Sequence, residues 1–297
     1  MKLTGFREKS ALGTSNRHTL IIAELSANHG GRFDRAVELV KAAYWAGADA
    51  VKIQLYTPEQ MAPQSEAPEF QIEEGPWAGS LYDLYVKART PVIWVPRLRE
   101  LARSLRLAFI ISVYHPDMVP TALEFQPDVL KVASQEIAYL DLLDALVKVD
   151  KPVIFSTGTA VRDEIEDVVE KFKGREIALL KCVSQYPAPL EAMNLATIPD
   201  MVQRFKVPIG LSDHTKGCVC AVVATALGSQ ILEKHIRLPA DDTCLDAAFS
   251  ATPQEFKSMV VLVRAAEEAM GKVDYTPSSL RFKRKLLSDG TWMRTTQ

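Results

Sequence analysis

"TLIIAELSANHGGRFDRAVELVKAAYWAGADAVKIQLY", residues 19 to 56, is the stretch on which the fold is read. Two short runs of β-branched and apolar residues, 19–26 and 50–56, flank a segment whose apolar side chains recur every three or four positions. Both runs are mainly apolar, with Glu24 and Ser26 near the end of the first and Lys52 and Gln54 within the second, as expected for parallel strands buried on both faces along most of their length. The pattern is a strand, a crossover helix and a second strand. No Gly-x-Gly-x-x-Gly follows the first run, which argues against a doubly wound dinucleotide-binding sheet.

The unit repeats along the chain. Strand-like runs return at "FIISVY" (109–114), "VLKVAS" (129–134), "PVIFSTG" (152–158), "IALLKCVS" (177–184), "VPIGLSDH" (207–214) and "ILEKHI" (231–236). Amphipathic stretches such as "YLDLLDALVKV", "VRDEIEDVVEKFKG" and "TPQEFKSMVVLVRAAEEAMG" lie between and after them. Eight alternations in 297 residues predict an α/β fold, a (β/α)8 TIM barrel occupying residues 1–297 as one domain. Residues 57–95 are too long for an ordinary strand-to-helix connection. They are expected to form a lid, a loop with one short helix over the barrel mouth.

Composition bounds the partners. Lys plus Arg number 35 against 37 for Asp plus Glu, so no strong net field draws the chain to nucleic acid or to an anionic membrane. An anionic ligand must therefore be met by a few placed residues. The opening "MKLTGFREKSALGTSNRH" has no apolar signal core and no run reaches a membrane span, so a cytoplasmic location is expected. Cys182, Cys218, Cys220 and Cys244 show no paired zinc spacing and are read as reduced structural thiols.

In a barrel of this kind the carboxyl ends of the strands form the catalytic face. Nearly every predicted strand ends in polar residues: Glu24 and Ser26, Lys52 and Gln54, Lys131 and Ser134, Ser156 and Thr157, Ser184 and Tyr186, Ser212 to His214, and Glu233 to His235. Any one of them reads as a hydrogen-bonded loop residue. As a set they are harder to dismiss, because an unpartnered buried charge costs several kcal/mol. His214 and His235 end adjacent strands, where two imidazoles can share one divalent metal or serve as ordinary structural histidines. Lys52 and Lys131, beside Ser134 and Ser156, suit a bound phosphate or carboxylate. The alternative is that the two lysines only neutralise Glu24 and Glu233.

Seven blocks, "IIAELSANHGG", "GADAVKIQLYTPEQM", "VLKVASQEI", "PVIFSTGTA", "LLKCVSQYPAPLEAMNL", "VPIGLSDHTKG" and "ILEKHIRL", together resemble the sialic acid synthase family. "GPWAGSLYDLYVKARTP" and "LDAAFSATPQEF" resemble its pseudaminic acid synthase branch more than its N-acetylneuraminate branch. The resemblance implies condensation of phosphoenolpyruvate with an N-acylated amino sugar aldehyde, giving a nonulosonic acid and phosphate. The implied acceptor is of the 2,4-diacetamido-trideoxy hexose or N-acetylmannosamine type. Carried over position by position, it makes Glu24 the catalytic acid–base group and His214 and His235 the ligands of a divalent metal, Mn2+ first, with Mg2+ or Co2+ as alternatives. Lys52, Lys131, Ser134, Ser156, Ser184, Tyr186 and Ser212 then bind phosphoenolpyruvate, while Gln54, Glu233 and Asp246 face the sugar or support the metal. A homodimer is also implied.

The chain departs from the family pattern in places. Val113 and Tyr114 stand where a hydroxyl and a proline are expected, with His115 read first as an ordinary loop histidine and second as a substitute donor, and Lys181 replaces a histidine. The family's C-terminal antifreeze-like domain is expected to be absent beyond "RFKRKLLSDGTWMRTTQ", with Arg281, Lys283, Arg284 and Lys285 as a replacement charge or a solvated basic face. Three rival readings remain. One is a phosphoenolpyruvate-dependent 3-deoxy-2-keto acid synthase with another acceptor, and a second is a Schiff-base aldolase using Lys181. The third is a non-catalytic sugar-binding barrel.

Overall fold

The computed structural model describes residues 18–75, 77–239, 243–276 and 282–296. Eight parallel strands close into a barrel: β1 (Leu20–Glu24), β2 (Ala50–Leu55), β3 (Ala108–Val113), β4 (Val129–Val132), β5 (Val153–Ser156), β6 (Ile177–Cys182), β7 (Ile209–Asp213) and β8 (Ile231–His235). Each strand pairs in parallel with its neighbours in chain order, and β1 pairs with both β2 and β8. A helix follows every strand: α1 (Phe33–Trp45), α2 (Val95–Ser104), α3 (Met118–Glu124), α4 (Leu140–Leu146), α5 (Arg162–Lys171), α6 (Thr197–Phe205), α7 (Val219–Ala226) and α8 (Pro253–Met270). The TIM barrel read from the alternation is the fold observed.

Strand side chains alternate between two faces, so each strand contributes to two cores. Ile21, Ala23, Val51, Ile53, Phe109, Ile111 and their equivalents point outward and pack against the helices. Leu20, Ile22, Ala50, Ile110, Val129, Ile154, Ala178, Leu180 and Ile231 point inward and fill the lower barrel. Gly210 belongs to this inner layer because nothing larger fits. A Cβ there would lie 2.4 Å from the Ile231 carbonyl oxygen and 2.5 Å from Leu180 Cδ2. Gly210→Ala is expected to destabilise the protein by about 2–3 kcal/mol, read as a lower urea midpoint with an unchanged m-value.

Residues 57–95 are more structured than the single short helix expected from sequence. They contain a helix at Pro58–Met61, a 3-10 turn at Pro68–Phe70, a small hairpin pairing Gln71–Ile72 with Gly79–Ser80, and a helix at Leu81–Ala88. Ser80 caps that last helix, its hydroxyl accepting from the Asp83 amide at 3.3 Å. The lid proper ends there, since Val92–Trp94 already turns into α2, whose Pro96 sits in the first turn where its missing N–H costs nothing. Near the C-terminus Phe282–Leu286 pairs antiparallel with Trp292–Thr296. Arg284 and Lys285 are exposed on this hairpin, whereas Arg281 and the side chain of Lys283 lie outside the described residues. Among the described residues no helix is long and apolar enough to cross a membrane.

Candidate active site

The inward-facing positions change character towards the carboxyl ends of the strands. Above the apolar layer, the same two-residue period delivers Glu24, Lys52, Gln54, Ser112, Lys131, Ser156, Cys182, Ser212, Glu233 and His235 to the interior. Barrel closure pairs them: Glu24 stands opposite Lys52 on one side and His235 on the other, and Ser112 stands opposite Lys131. They surround a cavity of about 320 Å³ at the barrel mouth. Of the residues singled out from sequence, Lys52, Gln54, Lys131, Ser134, Ser156, Tyr186, Ser212, His214, Glu233, His235 and Asp246 line it. Glu24 is fully buried behind Lys52 and Gln54, and Ser184 is not among the lining residues.

Charge is unevenly balanced across this cavity. Lys52 Nζ lies 2.6 Å from Glu24 Oε2 and 3.5 Å from Glu233 Oε1, and donates to Ser112 Oγ at 2.9 Å. Burial disfavours its charge, but the two carboxylates outweigh burial and hold the ammonium above its usual range. For Glu24 burial dominates over Lys52, so its carboxyl titrates above the ordinary range. Glu233 goes the other way: burial raises it, and Lys52, Lys131 and His214 together pull it below. Gln54 Nε2 donates to Glu24 Oε1 at 3.0 Å and fixes the carboxyl plane.

Lys131 differs from Lys52. It donates to Ser156 Oγ at 2.6 Å and to the Val132 carbonyl at 2.9 Å, and among the described residues it has no carboxylate ion-pair partner. Its pKa is lowered chiefly by burial. The Gly158 amide donates to Ser134 Oγ at 2.9 Å, and the buried Ser184 hydroxyl has no hydrogen-bond partner among the described residues. A Cβ on Gly158 would fall 2.4 Å from Ser184 Oγ, 2.9 Å from Ser134 Oγ and 3.1 Å from Cys182 Sγ. One buried ammonium and several hydroxyls thus converge on a hollow that only glycine leaves open, an arrangement suited to a phosphate or carboxylate.

His214 and His235 face each other next to this hollow, their ring centroids 5.4 Å apart, with Cys182 Sγ between the hollow and His214 Nδ1. His214 Nδ1 lies 2.9 Å from the Val183 carbonyl, which leaves Nε2 for the cavity. His235 Nδ1 is buried without a hydrogen-bond partner, 3.8 Å from Asp246 Oδ2, and burial followed by the nearby cations keeps this imidazole neutral far below its usual pKa. Asp246 in turn accepts from the Ser26 hydroxyl. Phe249 packs edge-on against both imidazoles and Tyr186 lies tilted against His214, and the lid residue Trp77 joins them while donating from Nε1 to the Leu245 carbonyl at 2.8 Å.

Asp213 faces outward, as a residue that buttresses the loop should, pairing with Lys234 Nζ at 2.8 Å and accepting from the Thr215 amide at 2.9 Å. Two other residues lie away from the cavity. His115 lies outside the cavity lining, 3.5 Å from Asp117 and edge-on to Tyr139, as an ordinary loop histidine and not a substitute donor. Lys181 also lies outside the cavity lining, its ammonium on the Cys182 carbonyl, so it is not placed to form a Schiff base in the cavity. Other site residues escaped the sequence reading. Ser112 is one, and its two-residue spacing from Ile110 was the available signal. Cys182, taken as structural, lines the cavity 3.9 Å from His214 Nδ1, and Glu136, pushed up to about 7 by burial, lines it too.

Comparison with known proteins agrees with this geometry. Residues 39–275 match the model of the NeuB family. A pseudaminic acid synthase of Campylobacter jejuni subsp. jejuni serotype O:23/36 is 38% identical over 273 residues, covering 90% of this chain and 80% of the relative. A pseudaminic acid synthase of Helicobacter pylori is 38% identical over 270 residues, covering 89% of this chain and 79% of the relative. Among solved structures, the N-acetylneuraminic acid synthetase of Leptospira borgpetersenii serovar Hardjo-bovis, in complex with citrate, superposes with a TM-score of 0.80 at 29% identity, covering 92% of this chain and 93% of that one. With a closed eight-stranded barrel, polar strand ends meeting at one mouth, and a family match over most of its length, the chain belongs to the NeuB family.

Proposed function

We propose that the protein joins phosphoenolpyruvate to the aldehyde of an N-acylated amino sugar, forming a nonulosonic acid and releasing phosphate. The observation that carries this reading is the set of groups gathered at one cavity: Lys131, which among the described residues has no carboxylate ion pair, the hydroxyl hollow around Gly158, two facing imidazoles, and the Glu24–Lys52 pair. Atoms balance as follows. C3 of the enol phosphate bonds to the aldehyde carbon, water adds at C2, and phosphate leaves by cleavage of the C2–O bond. Lys131, Ser134, Ser156 and Ser184 hold the two acidic groups of phosphoenolpyruvate, and Glu24, with its carboxyl oriented by Gln54 and Lys52, moves the proton at the aldehyde oxygen. A divalent metal would be held by Nε2 of His214 and the ring of His235, whose Nδ1 has no hydrogen-bond partner among the described residues, although no cluster of three or more His, Cys, Asp or Glu is found among those residues. When bound, such an ion acts as a Lewis acid towards a carbonyl oxygen.

The test is phosphate release from phosphoenolpyruvate with manganese, across N-acetylmannosamine and 2,4-diacetamido-trideoxy hexoses, with mass detection of a product three carbons longer. Turnover with none of them would overturn the proposal. Metal content gives an independent check. His214→Ala is expected to lose most bound manganese after dialysis and to lower kcat by at least about 10²-fold. Unchanged metal content would remove His214 from that role.

A further inference from the structure

The lid helix Leu81–Ala88 has an unusual relation to the rest of the molecule. Leu81, Leu84, Tyr85 and Ala88 follow the spacing that puts four side chains on one helical face. An amphipathic helix normally buries that face in a core. Here all four line the active-site cavity, and no residue of the helix is fully buried. Met61 from the preceding lid helix and Ile72 from the hairpin line the same cavity. The cavity therefore has a floor of lysines, hydroxyls and imidazoles and a roof of half-buried side chains that are apolar apart from the Tyr85 phenol, with Trp77 beside them tied to the barrel by its hydrogen bond to Leu245.

We infer that this roof determines acceptor specificity: Leu81, Leu84, Met61 and Ile72 receive the end of the sugar remote from its aldehyde. They select an acceptor that carries methyl groups there, on acylamido substituents or a deoxygenated carbon, over one that carries hydroxyls. The inference rests on the condensation proposed above and adds to it which residues choose the acceptor. The reacting end must face the floor, where the acid–base pair and the anion hollow lie, so the remote end meets the roof. A hydroxyl pressed against leucine, isoleucine and methionine loses its water without gaining a partner, whereas a methyl group gains buried contact. Pockets of this kind discriminate by about 10–200-fold.

Two measurements on the metal-supplemented full chain test this. The first is kcat/KM for a 2,4-diacetamido-2,4,6-trideoxy hexose against N-acetylmannosamine, each with saturating phosphoenolpyruvate. The wild type is expected to prefer the first by about 10–200-fold, and Leu84→Gln to shrink that ratio at least about 10-fold while the KM for phosphoenolpyruvate stays unchanged. Ile72→Thr, on the hairpin, is the second variant should Leu84→Gln fail to fold, with the same direction expected. The second measurement is calorimetric binding of the two sugars reduced at C1 to alditols, which cannot react. A tighter Kd for the diacetamido-trideoxy alditol, relaxed in the variants, supports the inference. Equal affinities in the wild type, or a ratio untouched in both variants, overturns it. If no aldehyde turns over yet the alditol preference holds, the condensation reading fails and the role of the roof stands.

Discussion

Glu24→Gln is expected to lower kcat by about 10²–10⁴-fold, the range that one positioned proton-transfer group supplies, while the variant folds and still binds phosphoenolpyruvate. The substitution keeps the shape of the side chain. It also leaves Lys52 with a carboxylate partner, because Glu233 Oε1 lies 3.5 Å from its ammonium. Burial raises the Glu24 carboxyl above the ordinary carboxylate range, so the acidic limb of the wild-type pH–rate profile should lie above that range and vanish in the variant. Retention of full kcat with an unaltered profile would exclude Glu24 as the proton-handling group, and Glu136, whose carboxyl is pushed up to about 7 by burial, would be the next group to replace.

Lys131→Met is expected to reduce kcat/KM for phosphoenolpyruvate about 10²–10³-fold, with little change in the melting temperature. The ammonium is buried and bonded to Ser156 Oγ and the Val132 carbonyl, and among the described residues no carboxylate forms an ion pair with it, Glu233 acting on it only from further off, so its full counter-charge in the working state is proposed to come from the substrate. Removing one partner of such a desolvated charge pair costs several kcal/mol of binding, whereas the free protein loses an ammonium whose pKa burial already depresses. Lys52→Met makes the contrast. It strands Glu24 and Glu233 together without their shared cation and should destabilise the fold itself. A Lys131→Met enzyme with unchanged affinity for phosphoenolpyruvate would move the anion site away from Ser134, Ser156 and Gly158.

Much of the floor of this site is legible in the chain. Runs such as "VLKVAS" and "ILEKHI" are apolar at their starts and polar at their ends, and in a parallel barrel the ends meet at one mouth. What single strands conceal is which of two adjacent residues faces inward. Side chains alternate, so Asp213 and His214, or Glu233 and Lys234, take opposite sides, and only the pairing register decides which. Glu233, standing opposite Ser212, entered the cavity, while Lys234, opposite Asp213, went outside to pair with it. The register likewise brought in Ser112 and Cys182, which no motif singled out. Gly158 reads as an ordinary turn residue until the Ser184 hydroxyl is seen 2.4 Å from where its Cβ would be.

The amino-acid sequence by itself determined the barrel, because the spacing of apolar runs is a local property that each strand and helix carries alone. It also determined the polar chemistry at the strand ends, since those residues must sit wherever the strands stop. Only the tertiary structure decided that Lys131 lacks the carboxylate that Lys52 has, and that the apolar stripe of the lid helix looks into the cavity. Both depend on side chains far apart in the chain, and their distances exist only once the sheet has closed on itself.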